Sequence, residues 1–296
     1  MLQSAIANFP TRPRRKILVY LSFRSLIISV FLLLAFVAAA IAQTETVQDN
    51  EPKPTPKPIT AETSKDKSAT LTAEQIVETS IVTYAFPTGR VRMDQIRKTA
   101  SERGTLKIMN ADGKLDTATY QRWALRGEDS SKEKIRLDQQ YATANYALIR
   151  SDEKTFGIYN NSVFVPREDA AKAFENRTIH GLDAFLRYKE NGSTIELAGR
   201  EKKLGVEFYQ IDVTDKGGSK TRFYVSVKTF RVMMLEYEEN GLKYLRKFYD
   251  YNYAQGTLFP FHSVLYADGK IVEEVEVGTV TFGQKVDESL FARKEN

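Results

Sequence analysis

Residues 206–213 read Val-Glu-Phe-Tyr-Gln-Ile-Asp-Val, residues 221–227 Thr-Arg-Phe-Tyr-Val-Ser-Val and residues 232–237 Val-Met-Met-Leu-Glu-Tyr. β-Branched and aromatic side chains recur there at a period near two, the spacing of a pleated strand. Asp215-Lys-Gly-Gly218 and Glu239-Asn-Gly241 separate strand-like runs and carry the chemistry of tight turns, so the neighbours they join are antiparallel. The same pattern extends outward to 194–199 on one side and to 242–253, 258–266 and 271–282 on the other, with Ala267-Asp-Gly269 as a further turn.

Upstream, residues 105–109, 119–125, 134–140, 145–150 and 155–159 are also strand-like. Asn110-Ala-Asp-Gly113, Gly127-Glu-Asp-Ser130 and Ser151-Asp-Glu-Lys154 separate them as turns. Two helical stretches interrupt this pattern. Thr72-Ala-Glu-Gln75 has the form of a capping box, and Ile76, Val77, Ser80, Ile81 and Tyr84 follow at helical spacing. Pro166 opens the second stretch, which runs from Arg167 through Leu182, Phe185 and Leu186 to Tyr188 before Asn191-Gly192 stops it. About a dozen strands and two helical segments predict an α+β domain over 71–296: a strongly curved antiparallel sheet, an incomplete β-barrel, wrapped around helices.

The first 42 residues are of another kind. Arg12, Arg14, Arg15, Lys16 and Arg24 precede an apolar run from Leu26 to Ala42 broken only by Ser29, with Ala40-Ile-Ala42 at its end. This is the order of a signal peptide, and the run is also long enough to serve as an N-terminal membrane anchor if it is not cleaved. Arg14-Arg15 also resembles a twin-arginine export signal. Residues 43–70, with Glu51-Pro-Lys-Pro-Thr-Pro-Lys-Pro58, hold few apolar side chains and read as a disordered Pro-rich linker.

The formal net charge is +5, but without the five basic residues of the leader Lys and Arg equal Asp and Glu in number. The exported part is therefore neutral, which argues against nucleic acid as a partner. The chain contains no cysteine, which excludes disulfides, thiolate catalysis and zinc–thiolate sites.

No catalytic motif is present: Gly-x-Ser-x-Gly, His-Glu-x-x-His, P-loop and dinucleotide fingerprints are all absent. The two histidines, His180 beside Gly181 and His262 after Pro260-Phe261, have ordinary structural settings. Asn110, Asp112 and Asp116 lack the acidic residue that a calcium loop needs at its twelfth position, so 110–113 reads as a turn. The runs Glu236, Glu238, Glu239 and Glu273, Glu274, Glu276 read as solvated strand faces. The Asn-x-Ser/Thr sequons at Asn160, Asn176 and Asn191 have meaning only in a eukaryotic secretory route. No enzyme activity, cofactor or metal is expected.

The apolar positions are more informative. Trp123 and Leu125 share one strand face, as do Phe223, Val225 and Val227, and as do Met233, Leu235 and Tyr237. Set against the helical residues Phe174, Leu182, Phe185 and Leu186, they would form an apolar concave surface. Such a surface serves equally as a packed core or, if the helix moves, as a ligand cavity. Tyr244, Phe248, Tyr249, Tyr251 and Tyr253 place aromatics on both faces of 242–253, which predicts cover on both sides.

The layout resembles the LolA/LolB-like group, the outer-membrane lipoprotein carriers and sorting proteins of the bacterial envelope. The likeness is carried by 204–213, by the strand 223–227, by Phe259-Pro-Phe261 and by the tail Val286-Asp-Glu-Ser-Leu-Phe291, which has that group's Asp-x-x-x-Phe form. It covers residues 71 to 296. The resemblance implies a β-half-barrel closed on one side by a helical lid, with a cavity for the acyl chains of a lipid or lipoprotein in the periplasm. Carriers of this group hold the lid with an arginine, for which Arg97, Arg103 and Arg122 fall in the expected region. The Pro-rich linker and longer interior depart from a minimal shuttle. The alternative is a membrane-tethered envelope sensor or scaffold that binds a protein partner, and a hydrolase with an unrecognised site using His180 or His262 is the third reading.

Overall fold

The computed structural model describes residues 71–293, and the expected leader and linker lie outside these described residues. One antiparallel sheet of thirteen strands dominates. Its first half is β1 (Thr99–Met109), β2 (Leu115–Leu125), β3 (Lys134–Gln140), β4 (Asn145–Ser151), β5 (Lys154–Tyr159) and β6 (Ser162–Phe164). The second half is β7 (Thr194–Lys203), β8 (Val206–Thr214), β9 (Lys220–Ser226), β10 (Val232–Glu239), β11 (Leu242–Ala254), β12 (Thr257–Ala267) and β13 (Lys270–Phe282). The spatial order β6-β5-β4-β3-β2-β1-β13-β12-β11-β10-β9-β8-β7 joins the two halves where the last strand pairs with the first. The edge strands β6 and β7 do not pair with each other, so the sheet stays open and is a half-barrel, as expected from sequence.

The seam between β1 and β13 needs a glycine. Its register slips between Arg103 and Gly104, and a Cβ at Gly104 would lie 2.0 Å from the Glu276 carbonyl oxygen. Any larger residue would force the two halves apart.

Among the described residues four α-helices accompany the sheet: α1 (Ala73–Tyr84), α2 (Arg90–Ile96), α3 (Glu168–Ile179) and α4 (Leu182–Leu186). The capping box of α1 is formed, with Gln75 N–H donating to Thr72 Oγ1 at 3.2 Å and Thr72 N–H donating to Gln75 Oε1 at 2.9 Å. Its buried face is Ile76, Val77, Ser80, Ile81 and Tyr84, the five positions given by the helical spacing. Ser80 avoids an unpaired buried hydroxyl by donating to the Ile76 carbonyl at 2.9 Å. The single helix expected from Arg167 to Tyr188 is two: the chain breaks at His180-Gly181, where a Cβ on Gly181 would meet the Arg177 carbonyl oxygen at 2.3 Å. This break turns α4 so that Phe185 and Leu186 enter the core.

The expectation for 242–253 is corrected. Tyr251 and Phe248 face inward, but Tyr249 and Tyr253 remain exposed. The change is local: Asp250, between Tyr249 and Tyr251, has a φ of 51° while the β11–β12 register stays the same on either side of it, and Tyr251 packs against the core beyond that kink.

The tail has a physical role. Asp287 accepts from Ser289 N–H at 2.9 Å to start a 3-10 turn at Glu288–Phe291, and Phe291 buries against Ala147 and Ile149. Arg136 Nη1 fixes the turn by donating to the Leu290 carbonyl at 3.0 Å.

Candidate functional site

The largest apolar cluster lies between α1, α4 and the strands β8 to β12. Phe185, Leu186, Phe223, Val225, Leu235 and Tyr237 are buried in it, with Leu182 and Val227 packed at its margin. Phe185 and Phe223 meet ring to ring at 5.1 Å. Eight of the twelve residues expected to line a cavity are thus brought together, but as a packed core whose space α1 fills.

The other four lie elsewhere. Phe174 joins Leu106, Tyr120 and Leu137 in a second cluster. Trp123 and Leu125 belong to a third, around Phe291. In β2 the residues Tyr120 and Ala124 pack toward Phe174, so the alternation of a strand sends Trp123 and Leu125 to the opposite face. Met233 joins no cluster: the β9–β10 register slips between Val232 and Met234, and Val232 takes the core position that strict alternation from Leu235 assigns to Met233.

Beside the apolar core is a cleft of about 190 Å³ between the sheet and the α3–α4 segment. Leu106, Leu137, Leu182, Phe248 and Val275 give it apolar walls, and its polar lining consists largely of ion pairs. Asp183, at the start of α4, lies 3.1 Å from Arg126 Nη2 and 3.8 Å from Arg97 Nη1. Burial would raise the Asp183 carboxyl, but Arg126, Arg97, Arg187 and Arg122 outweigh it and hold it at about 2. Arg97 also donates to the Leu258 carbonyl at 2.7 Å, tying α2 to β12. Arg187, at the end of α4, donates to the Gly127 carbonyl at 2.7 Å and approaches Glu133 to 3.7 Å.

A second set of pairs ties α3 to the sheet. Glu273 on β13 accepts from Arg177 Nε at 2.9 Å and from Arg246 Nη1 at 2.9 Å. Burial raises its carboxyl, and the two guanidiniums overcome this to place it at about 2. Glu102 accepts from the Tyr120 hydroxyl at 2.6 Å and lies 3.6 Å from Arg122. Of the three arginines weighed from sequence, Arg97 and Arg122 line this cleft and Arg103 is exposed outside it. Arg126, Arg177, Arg187 and Arg246 carried no signal in the sequence. Glu273 carried one: it is two residues before Val275, which packs inward, so it shares the inner face instead of belonging to a solvated run.

His180 is buried, stacks on Tyr237 at 3.8 Å between ring centroids, and has Nδ1 2.6 Å from Thr221 Oγ1. Burial depresses its pKa to about 4. The unfolded chain therefore takes up a proton below about pH 6.5 that the folded chain refuses until about pH 4. Stability from this group is full above pH 6.5 and lost as pH falls to 4, on the order of 3 kcal/mol in all. His180→Phe is expected to flatten the stability profile between those limits in urea melts, and an unchanged slope would contradict the neutral buried ring. His262 stacks on Tyr249 and has Nε2 3.1 Å from Glu274 on the sheet. Among the described residues no group of three or more His, Asp or Glu side chains could hold a metal, and no helix is long and apolar enough to cross a membrane.

The fold is an open antiparallel sheet carrying a helical segment against one face. No family model matches the chain and no curated protein matches its sequence. Among solved structures it is similar to a LolA superfamily protein from Nitrosomonas europaea, with a TM-score of 0.54 and 12% identity over 76% of this chain and 99% of that one. A DUF1329 family protein from Desulfovibrio piger gives a TM-score of 0.49 and 16% identity, covering 73% of this chain and 97% of the other. An outer membrane lipoprotein-sorting protein domain from Vibrio parahaemolyticus gives 0.43 and 12%, covering 65% and 88%. At such identities the first likeness is one of fold.

Proposed function

We propose that this chain is an exported, non-catalytic binding protein that takes up the acyl chains of a lipid or lipoprotein between the sheet and its helical segment in the periplasm. The observation that carries the reading is the way the helical segment is attached. Its ends are tied by Arg–carboxylate pairs at Asp183, Arg187 and Glu273, while Leu182, Phe185 and Leu186 present an apolar face to the sheet. Withdrawal of that segment would expose apolar side chains continuous with the cleft. Acyl chains gain roughly 0.8 kcal/mol for each methylene removed from water, so they can replace helix contacts without any polar site. Arg97, with Arg126, then plays the part of the lid-holding arginine through Asp183.

A ligand that binds only the folded chain raises its melting temperature by mass action. Adding a short-chain phospholipid at about 100 times its dissociation constant is expected to stabilise by about 2.7 kcal/mol, a shift of several degrees for a domain of this size. A melting curve indifferent to lipid would contradict the proposal.

A second reading is favoured by the surface. Phe86, in the turn between α1 and α2, and Val91, in the first turn of α2, are 67% and 61% exposed, and Leu204 at the β7–β8 turn is 99% exposed. Exposed apolar side chains of this size are what a membrane-tethered sensor or scaffold would offer to a protein partner.

A further inference from the structure

Among the described residues five large apolar side chains are more than half exposed, and four of them, Phe86, Val91, Leu204 and Tyr253, lie at one rim of the sheet; the fifth is Val165, just beyond β6. At this rim β7 turns into β8, β9 into β10 and β11 into β12. The α1–α2 turn joins it, because the Tyr84 hydroxyl lies 2.9 Å from that of Tyr251 and accepts from Val232 N–H at 3.3 Å.

Leu204 is the most telling of the four. Leu204 and Gly205 have φ of 49° and 81°, the two left-handed values of a tight hairpin turn. Asn240-Gly241, Gln255-Gly256 and Asp268-Gly269 turn at nearly the same angles, each with a polar first residue. A bulky apolar residue is disfavoured at positive φ, where Asn is well tolerated. Leu204 therefore carries backbone strain, and at 99% exposure no contact within the domain offsets it.

The charge of the rim is one-sided. Segments 85–92, 202–207, 227–231 and 252–257 hold six basic residues, Arg90, Arg92, Lys202, Lys203, Lys228 and Arg231, against the single carboxylate of Glu207. Arg90, Lys203 and Glu207 have ion-pair partners. Among the described residues Arg92, Lys202, Lys228 and Arg231 pair with no carboxylate; Asp94 and Asp250 are the next ones along α2 and β11. The turns at the opposite ends of these strands, 214–220, 238–243 and 267–270, hold four basic and four acidic residues. The excess is a property of one rim.

We propose that this rim docks on the surface of a bilayer containing anionic lipid, with Leu204, Phe86 and Val91 entering the headgroup layer and the four unpaired cations facing its negative charge. Apolar insertion and attraction of basic side chains to anionic headgroups act together in such binding. The charge beside the exposed side chains favours a lipid surface over the protein partner of the second reading. Docking does not depend on acyl uptake between sheet and helices, so either stands if the other fails.

The test uses the protein released from the periplasm of a bacterium expressing the full chain, and follows its co-sedimentation with vesicles of phosphatidylcholine alone or mixed with phosphatidylglycerol. Binding is expected to be at least about tenfold tighter to the anionic vesicles and to weaken with salt. Lys202→Glu with Lys228→Glu is expected to weaken it at least about thirtyfold. Lys243→Glu with Lys270→Glu makes the same change in net charge at the exposed opposite turns, and is expected to leave binding within about threefold. Leu204→Asn is expected to weaken binding about tenfold and yet to hold or raise the melting temperature, because asparagine suits the turn. General destabilisation cannot produce that combination. Any contribution of residues 1–70 is common to wild type and variants and cancels from the ratios. Equal binding to the two kinds of vesicle, or equal losses from the two lysine pairs, would overturn the proposal. Vesicle binding that no rim variant alters would also overturn it, and would leave these side chains to a protein partner.

Discussion

Phe223→Asp is expected to unfold the domain or to lower its melting temperature by more than about 10 °C. The ring is fully buried, contacts Phe185 at 5.1 Å, and stands opposite Ile211 and Leu235 on the neighbouring strands. Truncating a buried phenylalanine costs about 3–5 kcal/mol, and an ionised carboxylate in the same place adds several more. Each kcal/mol is worth roughly 2–4 °C in a domain of about this size. The substitution therefore reports on the state of the core. A well-folded Phe223→Asp protein melting within a few degrees of wild type would mean that water or a cavity already reaches this ring, contrary to the packed arrangement with α1 and α4. Leu182→Asp, half-buried at the cleft, is the matched control and is expected to cost much less.

Glu273→Gln has the next largest expected effect. Its carboxylate is buried and holds Arg177 of α3 and Arg246 of β11 together. Removing one member of a buried ionic group leaves its partners uncompensated, at a cost of about 3–5 kcal/mol. Arg177 is a tie between α3 and the sheet, so faster amide exchange should appear over 168–179 beyond what global destabilisation explains. The acid limb offers an independent check. The folded carboxyl lies at about 2 against an ordinary 4.5, so its stabilisation is complete above about pH 4.5 and lost as pH falls toward 2. Wild type should lose stability across that window and Glu273→Gln should lose less. A variant with wild-type stability and unchanged exchange in α3 would show that the triad does not hold the helix.

Local signals in the sequence read well because they are local. Thr72 and Gln75 lie within one helical turn, and the capping box and inward face of α1 follow from that turn alone. Glycine turns such as 239–241 and 267–269 determine antiparallel neighbours, so the sheet was legible except for the three-residue edge strand β6, which is too short to show a period. α2 was missed because it has seven residues and no side-chain cap. Faces failed where a register slip or a backbone kink interrupts strict alternation. Met233 was displaced by Val232 at a slip in the β9–β10 register, and Asp250 kinks β11 at a positive φ, and neither leaves a mark in hydrophobic periodicity. Trp123 shows the complementary problem: a large apolar residue identifies a buried face, but not which of two buried faces when the tail supplies Phe291 to cover the outer one. The charged cleft was the least legible feature. Asp183 meets Arg97 and Arg126 across dozens of residues, and only the folded sheet brings them to one place.

The most direct measurement on the central claim is native mass spectrometry, with lipid extraction, of the protein purified from the periplasm of a bacterium expressing the full chain. The account predicts a population carrying lipid or lipopeptide mass that is released on opening the helical segment. A homogeneous protein free of lipid, and unable to acquire it from added phospholipid, would contradict it.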